Sequence, residues 1–294
     1  MQVIKISPRG YCYGVVDAIQ MAKRVAKDPS VPRPIYVLGQ IVHNHHAVEG
    51  LEAFGIQTLD GPDRMALLDQ VDRGTVIFTA HGVSPAVKRA AAAKGLNCVD
   101  ATCPDVTRTH DLVLQLVQEG FEIIYVGKRG HPEPEGVMGE APGLVHLVET
   151  VADVDALAIE AEKLAVTTQT TLSQWDTAAV IERVQQRYPQ VVVHNDICHA
   201  TLERQRAATT QVSDAELVLV VGDERSNNSK RLVQVVQEVA GRPARLVDNV
   251  GDIQPAWLHG LQRVAVTSGS STPSEITREV IRYIEAFDSG QTAE

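Results

Sequence analysis

The chain has no long apolar run. None of its hydrophobic stretches approaches the roughly 20 residues that a membrane-spanning helix needs, and Met1 to Ser7 enters the strand-like VIKIS without an apolar leader core. The expectation is a cytoplasmic protein with no membrane partner. Positive charge is scarce as well: Lys and Arg number 27 against 37 Asp and Glu, a formal net charge of -10. That balance excludes a broad nucleic-acid surface, because phosphate-tracking proteins need clustered Lys and Arg. Any phosphate must therefore be met locally. Neither G-x-x-x-x-G-K-[ST] nor G-x-G-x-x-G occurs, so the usual loops for nucleoside triphosphates and dinucleotides are missing and electrons for any reduction must arrive from elsewhere. The four cysteines, Cys12, Cys98, Cys103 and Cys198, include no C-x-x-C pair, which removes the usual structural zinc pattern. In a reducing compartment they are not a disulfide framework either.

What is present reads as a globular α/β protein. Hydrophobic residues make up 44% of the 294 residues and charged residues 22%, too apolar for disorder and long enough for two or three units. Short β-branched runs (Ile35–Leu38, Val76–Thr79, Ile123–Val126, Leu164–Thr167, Leu217–Val221, Val264–Thr267) alternate with helical stretches such as Val15–Ala26, Pro85–Lys94, Val106–Glu119, Ala178–Tyr188, Leu202–Val212 and Ser274–Ala286. Alternation of this kind predicts mostly parallel sheets.

Three cysteines recur in one context. Cys12 in SPRGYCYGV, Cys103 in VDATCPDV and Cys198 in HNDICHAT each close a strand and open a helix, about 91 and about 95 residues apart. A period near one third of the chain predicts three α/β units, 1–98, 99–194 and 195–287, with a tail over 288–294. Three such turns suggest a pseudo-threefold arrangement. Helix N-termini favour the thiolate that binds metal, and three soft donors point to zinc or to iron–sulfur. With three thiolates, an iron–sulfur cluster would keep one iron open to substrate. Cys98, inside the strand-like LNCVD, is expected to be a small buried hydrophobe.

Polar residues gather at other strand ends. Histidines occur in IVHNHHAVEGL (His43, His45, His46), FTAHGVS (His81) and KRGHPEPEG (His131), and look like anion binders. The HPEP core gives Glu133 a rigid turn from which an acid can be aimed. TTQTTLS, DERSNNSKRL and TSGSSTPSE follow strands and precede helices; their hydroxyls, amides and helix N–H groups can together cradle a phosphate.

In order along the chain, PRGYCYGV, HNHH, AHGVSP, DATCPDVT, GHPEPEG, TQTTLS, ICHAT, SNNSKRL and GSSTP span roughly residues 8 to 274. This series resembles the LytB family, the 4-hydroxy-3-methylbut-2-enyl diphosphate reductases at the end of the non-mevalonate isoprenoid pathway. The resemblance implies a trefoil of three similar α/β domains around a central [4Fe–4S] cluster held by Cys12, Cys103 and Cys198. It also implies reductive removal of the substrate hydroxyl to give isopentenyl and dimethylallyl diphosphate, with a ferredoxin or flavodoxin as electron donor. By position, Glu133 would be the proton source, helped by Thr170 and His131. His43, His81, Ser226, Asn228 and Ser271 would hold the diphosphate, with His131, Thr170 and Asn227 completing the substrate-binding set, Asn227 standing where many relatives have a second serine. Two other readings of the residues stay open: a three-cysteine zinc hydrolase, and an iron–sulfur redox sensor with no catalytic use for Glu133.

Overall fold

The computed structural model describes residues 1–287, so the tail expected over 288–294 lies outside the described residues. In chain order the elements begin with β1 (Gln2–Lys5), α1 (Tyr13–Lys27), β2 (Ile35–Leu38), α2 (His45–Glu52), β3 (Ile56–Leu59), α3 (Arg64–Asp69), β4 (Thr75–Phe78), α4 (Pro85–Ala93) and β5 (Asn97–Asp100). There follow α5 (Pro104–Gln118), β6 (Glu122–Val126), α6 (Pro132–Met138), β7 (Val145–Val148), α7 (Val151–Ala156), β8 (Leu164–Thr168), α8 (Gln174–Arg187) and β9 (Val192–Val193). The remainder is α9 (His199–Thr210), β10 (Leu217–Val221), α10 (Asn227–Glu238), β11 (Ala244–Val247), β12 (Arg263–Ser268) and α11 (Ser274–Ala286). Among the described residues no helix is long and apolar enough to cross a membrane.

The strands form three four-stranded sheets, and every pairing is parallel. All three share one order: β3-β2-β4-β5, β7-β6-β8-β9 and β11-β10-β12-β1. The α/β class with parallel sheets is thus as expected. Contacts group the described chain into two compact units. One comprises Met1–Tyr13, His43–Ala47 and the chain from His199 onward, and contains the β11-β10-β12-β1 sheet; the other, Gly14–Val42 and Val48–Cys198, contains the other two sheets.

The opening strand departs from the expected grouping with the first third of the chain: β1 pairs with β12, Gln2 opposite Arg263. Its apolar side chains explain the choice. Ile4 packs against the cluster of Val218, Val220 and Ala265, while Met1 and Val3 pack against that of Leu219, Val264 and Val266.

Central strands are apolar without interruption because both faces are covered by helices. In β6, Ile123 and Tyr125 join Val113, Leu116 and Val137 on one face, while Ile124 and Val126 join Val166, Val180 and Val184 on the other. This is the alternation that a strand dictates. On α5 the buried positions Val106, Thr109, His110, Val113 and Leu116 repeat at helical spacing, the stripe that seats it on its sheet. Cys98 corrects an expectation: it is exposed, not buried, because β5 is an edge strand.

Ile124 is fully buried. Replacing it with Ala should cost about 2–5 kcal/mol of stability, the usual result of a core cavity, read as a lower urea midpoint. An unchanged midpoint would mean that this face of β6 is not packed as described.

Candidate active site

The three parallel sheets put every strand-to-helix turn of a sheet at one edge, beyond the strand C-termini. Within each sheet, polar residues fall at matching offsets from the strand ends. His43, His131 and Ser226 each stand five residues past the first strand, which ends at Leu38, Val126 and Val221. His81, Thr171 and Ser271 each stand three past the third strand, which ends at Phe78, Thr168 and Ser268. Cys12, Cys103 and Cys198 each follow the fourth strand and immediately precede α1, α5 and α9.

One backbone bond repeats with the cysteines. The N–H of Cys12 donates to the Ser270 carbonyl (3.1 Å), that of Cys103 to Ala80 (3.0 Å) and that of Cys198 to Thr170 (3.0 Å). Each acceptor lies two residues beyond the third strand of its sheet. All three cysteines are half-buried and none is in a disulfide. Cys103 occupies the N-cap of α5 yet makes no side-chain capping bond, and Pro104 follows at the first helical position. A Cβ on Gly14 would lie 2.4 Å from the Cys103 Sγ, so only glycine allows backbone this close to that thiol.

In the unit that contains Met1–Tyr13 and the chain from His199, a cluster of hydroxyls and amides surrounds the start of α10. Ser226 caps the helix, its Oγ accepting from the Ser229 N–H at 3.2 Å and from the Ser229 and Ser271 hydroxyls at 3.0 and 3.2 Å. Ser271 also lies 3.2 Å from the His43 carbonyl, so its single proton serves one of two acceptors. Asn228 is buried, and among the described residues neither its amide nitrogen nor its oxygen has a hydrogen-bond partner. Such a group is costly unless something fills it. A helix N-terminus with an unfilled carboxamide and hydroxyls is a ready anion site. Gly222 and Gly269 close in on Ser229, where an added Cβ would fall 2.2 and 2.0 Å from its Oγ. Asn227, beside them, is also buried.

The other unit holds the acid. Glu133 is 1% exposed, at the start of α6. Thr170 grips it twice: its N–H donates to Oε1 at 2.7 Å and its hydroxyl to Oε2 at 3.1 Å. Burial nevertheless outweighs those bonds and, with the charges of Asp196 and Asp105, pushes the carboxyl up to about 7. His131 caps α6, its Nδ1 accepting from the Glu133 N–H at 3.2 Å, which assigns the ring proton of the neutral form to Nε2. The His81 ring meets the His131 ring edge to face, centroids 5.2 Å apart. Thr170 is thus a junction, with its amide and hydroxyl on Glu133 and its carbonyl on Cys198.

Several participants were not singled out by sequence. Tyr125 is fully buried, and burial, followed by the charges of Glu133 and Asp196, pushes its phenol well above the usual value. Asp196 accepts from the Thr167 hydroxyl. Arg204 is buried and donates to the Gly10 carbonyl at 2.7 Å, two residues before Cys12. Nothing in TLERQR distinguishes that arginine from a surface one, and Tyr125, inside β6, reads locally as one more residue of an apolar strand.

Residues 3–285 match the family model described as LytB protein. The chain belongs to the LytB family. A relative from Symbiobacterium thermophilum, named 4-hydroxy-3-methylbut-2-enyl diphosphate reductase, is 64% identical over 98% of each chain. One of the same name from Bacillus subtilis is 57% identical over 98% of this chain and 92% of its own. Among solved structures, the E-1-hydroxy-2-methyl-but-2-enyl-4-diphosphate reductase from Plasmodium falciparum superposes with a TM-score of 0.91 at 34% identity, covering 99% of this chain and 90% of that one. A second, titled as (E)-4-hydroxy-3-methyl-but-2-enyl diphosphate reductase, the terminal enzyme of the non-mevalonate pathway, gives 0.69 at 30% identity over 98% of this LytB chain and all of its own.

A carboxyl that holds its proton more tightly in the fold than in the unfolded chain is stabilising when protonated and loses that advantage as pH rises. The stability difference between the wild type and Glu133→Gln should therefore shift against the wild type from pH 4.5 through about 7. Parallel pH–stability curves would show that Glu133 titrates as an ordinary carboxylate.

Proposed function

We propose that this LytB chain reduces 4-hydroxy-3-methylbut-2-enyl diphosphate to isopentenyl and dimethylallyl diphosphate, as the last step of the non-mevalonate isoprenoid pathway. Relatives covering nearly the whole chain carry that reductase name. The observation that carries the chemistry is Glu133: a buried acid, protonated up to about pH 7, seated on Thr170.

Cys12, Cys103 and Cys198 fit a [4Fe–4S] cluster as its three protein ligands. The support is chemical and positional: three soft donors, none in a disulfide, at equivalent helix N-termini, and backbone at Gly14 kept bare beside the Cys103 Sγ. Bound there, the cluster would supply electrons and an iron with a site open to the substrate hydroxyl.

The remaining roles belong to side chains. Ser226, Asn228 and Ser271, with His43 and His81, receive the diphosphate, and Asn227, His131 and Thr170 complete the substrate-binding set. The empty amide of Asn228 and the helix N–H groups support that assignment, and they bind the anion with little positive charge. In the reaction the allylic C–O bond breaks, two electrons and two protons enter, and the hydroxyl leaves as water. Glu133 delivers a proton, Thr170 orients its carboxyl, and His131 holds the first turn of α6 in register. Protonation of the allylic fragment at either of two carbons then yields the two products. The electrons come from a ferredoxin- or flavodoxin-type donor in the cytoplasm.

Anaerobic oxidation of reduced methyl viologen by the cluster-loaded chain, with and without the allylic diphosphate, tests the reading. Substrate-dependent oxidation yielding both isomers is expected, and Glu133→Gln should keep its iron while turnover falls roughly 100- to 10,000-fold. No substrate-dependent oxidation by a fully loaded protein would refute the activity, and full turnover in Glu133→Gln would refute the proton role.

A further inference from the structure

His45 and His46 take no part in the chemistry above, yet both face carboxylates of their own unit. His45 opens α2, and its N–H donates to Asp223 Oδ2 at 2.9 Å. Its ring is held between two acids: Nδ1 lies 3.1 Å from Asp223 Oδ2, and Nε2 lies 3.4 Å from Asp248 Oδ2. His46 brings its Nε2 to 3.1 Å from the same Asp248 oxygen, and the two rings lie 3.9 Å apart. Asp223 stands two residues past β10 and Asp248 immediately past β11.

From this geometry we infer a binding site for one divalent first-row transition cation of the zinc class, with His45 Nε2, His46 Nε2 and an Asp248 carboxylate oxygen as ligands and Asp223 orienting His45. One donor atom from each of the three residues lies within 4.8 Å of the other two. Ligands roughly 2.1 Å from a tetrahedral ion sit about 3.4 Å apart, close to the 3.4 and 3.1 Å that separate the His45 and His46 Nε2 atoms from Asp248 Oδ2. Asp248 has a spare donor: its Oδ2 accepts from Asn249 Nδ2 at 3.1 Å, but its Oδ1 is buried with no hydrogen-bond partner among the described residues. A buried carboxylate oxygen left unfilled is costly, and a cation satisfies it.

The Asp223–His45–Asp248 line has the build of a carboxylate–histidine–metal relay. In such relays the acid on one ring nitrogen fixes the tautomer and leaves the other nitrogen free for the metal. Asp223 suits that part by position, its Oδ2 meeting both the backbone N–H and the Nδ1 of His45. Both imidazoles and Asp248 keep part of their surface in solvent, with side-chain exposures of 37%, 21% and 20%, which leaves a path for the ion and a position for water. Filled, the site would clamp segment His43–Ala47 to the ends of β10 and β11. That segment carries the His43 carbonyl, 3.2 Å from the Ser271 hydroxyl.

Equilibrium dialysis against Zn²⁺ tests the site in the cluster-loaded chain, with Cys12→Ser as a parallel background that exposes any zinc held by thiols. The wild type should bind one zinc more than His46→Ala or Asp248→Asn in either background. Asp223→Asn should retain the site with a dissociation constant raised roughly 10- to 100-fold, the usual effect of losing an orienting carboxylate. Zinc should also raise the thermal midpoint of the wild type and leave that of Asp248→Asn unmoved. Equal zinc in wild type and both ligand variants, or an Asp223→Asn affinity equal to wild type, would overturn the site and leave only histidine–carboxylate ion pairs.

Discussion

A single backbone hydrogen bond, made three times, organises the chemistry of this chain. The cysteine that ends the turn after each fourth strand gives its N–H to a carbonyl two residues beyond the neighbouring third strand: Cys12 to Ser270, Cys103 to Ala80, Cys198 to Thr170. The bond costs no side chain. It fixes where each thiol leaves the backbone and starts the next helix from that point, so the helix N–H groups and the sulfur share one turn. In the third instance the acceptor residue is Thr170, whose other polar atoms hold Glu133. A buried acid and a cysteine turn are thereby tied to one residue.

The same economy shows in residue choice. Each sheet sends comparable positions to its C-terminal edge, and the chain varies what stands there. Five residues past the first strand come His43, His131 and Ser226; three past the third come His81, Thr171 and Ser271. Where a helix cap is needed, histidine and serine both serve, His131 accepting from Glu133 and Ser226 from Ser229. The anion site proposed at the start of α10 draws on helix N–H groups and hydroxyls rather than on lysine and arginine, in keeping with the net charge of -10.

Much of this was legible in the amino-acid order because local physics and function coincide there. Apolar runs marked the central strands, since both faces of a parallel sheet are buried, and cysteines beside Pro104 or a glycine-bearing turn marked helix starts. Less legible were features that depend on partners distant in sequence. Pairing of β1 with β12 is a register across more than two hundred residues, and no local signal states it. Cys98 was expected inside because cysteine in a strand is usually a small buried hydrophobe, but position at a sheet edge decides exposure. Glu133 could be singled out from HPEP, whereas its elevated affinity for a proton comes from complete burial and then from the charges of Asp196 and Asp105. Arg204 and the Asp223–His45–Asp248 line belong to the same class, visible only once strand ends are brought together.

Equivalence of the three cysteine turns is the central claim, and iron and acid-labile sulfide per chain in Cys12→Ser, Cys103→Ser, Cys198→Ser and Cys98→Ser test it most directly. The account requires each of the first three variants to lose the cluster of the wild type and Cys98→Ser to retain it in full. Retention in any of the three, or loss in Cys98→Ser, would contradict it.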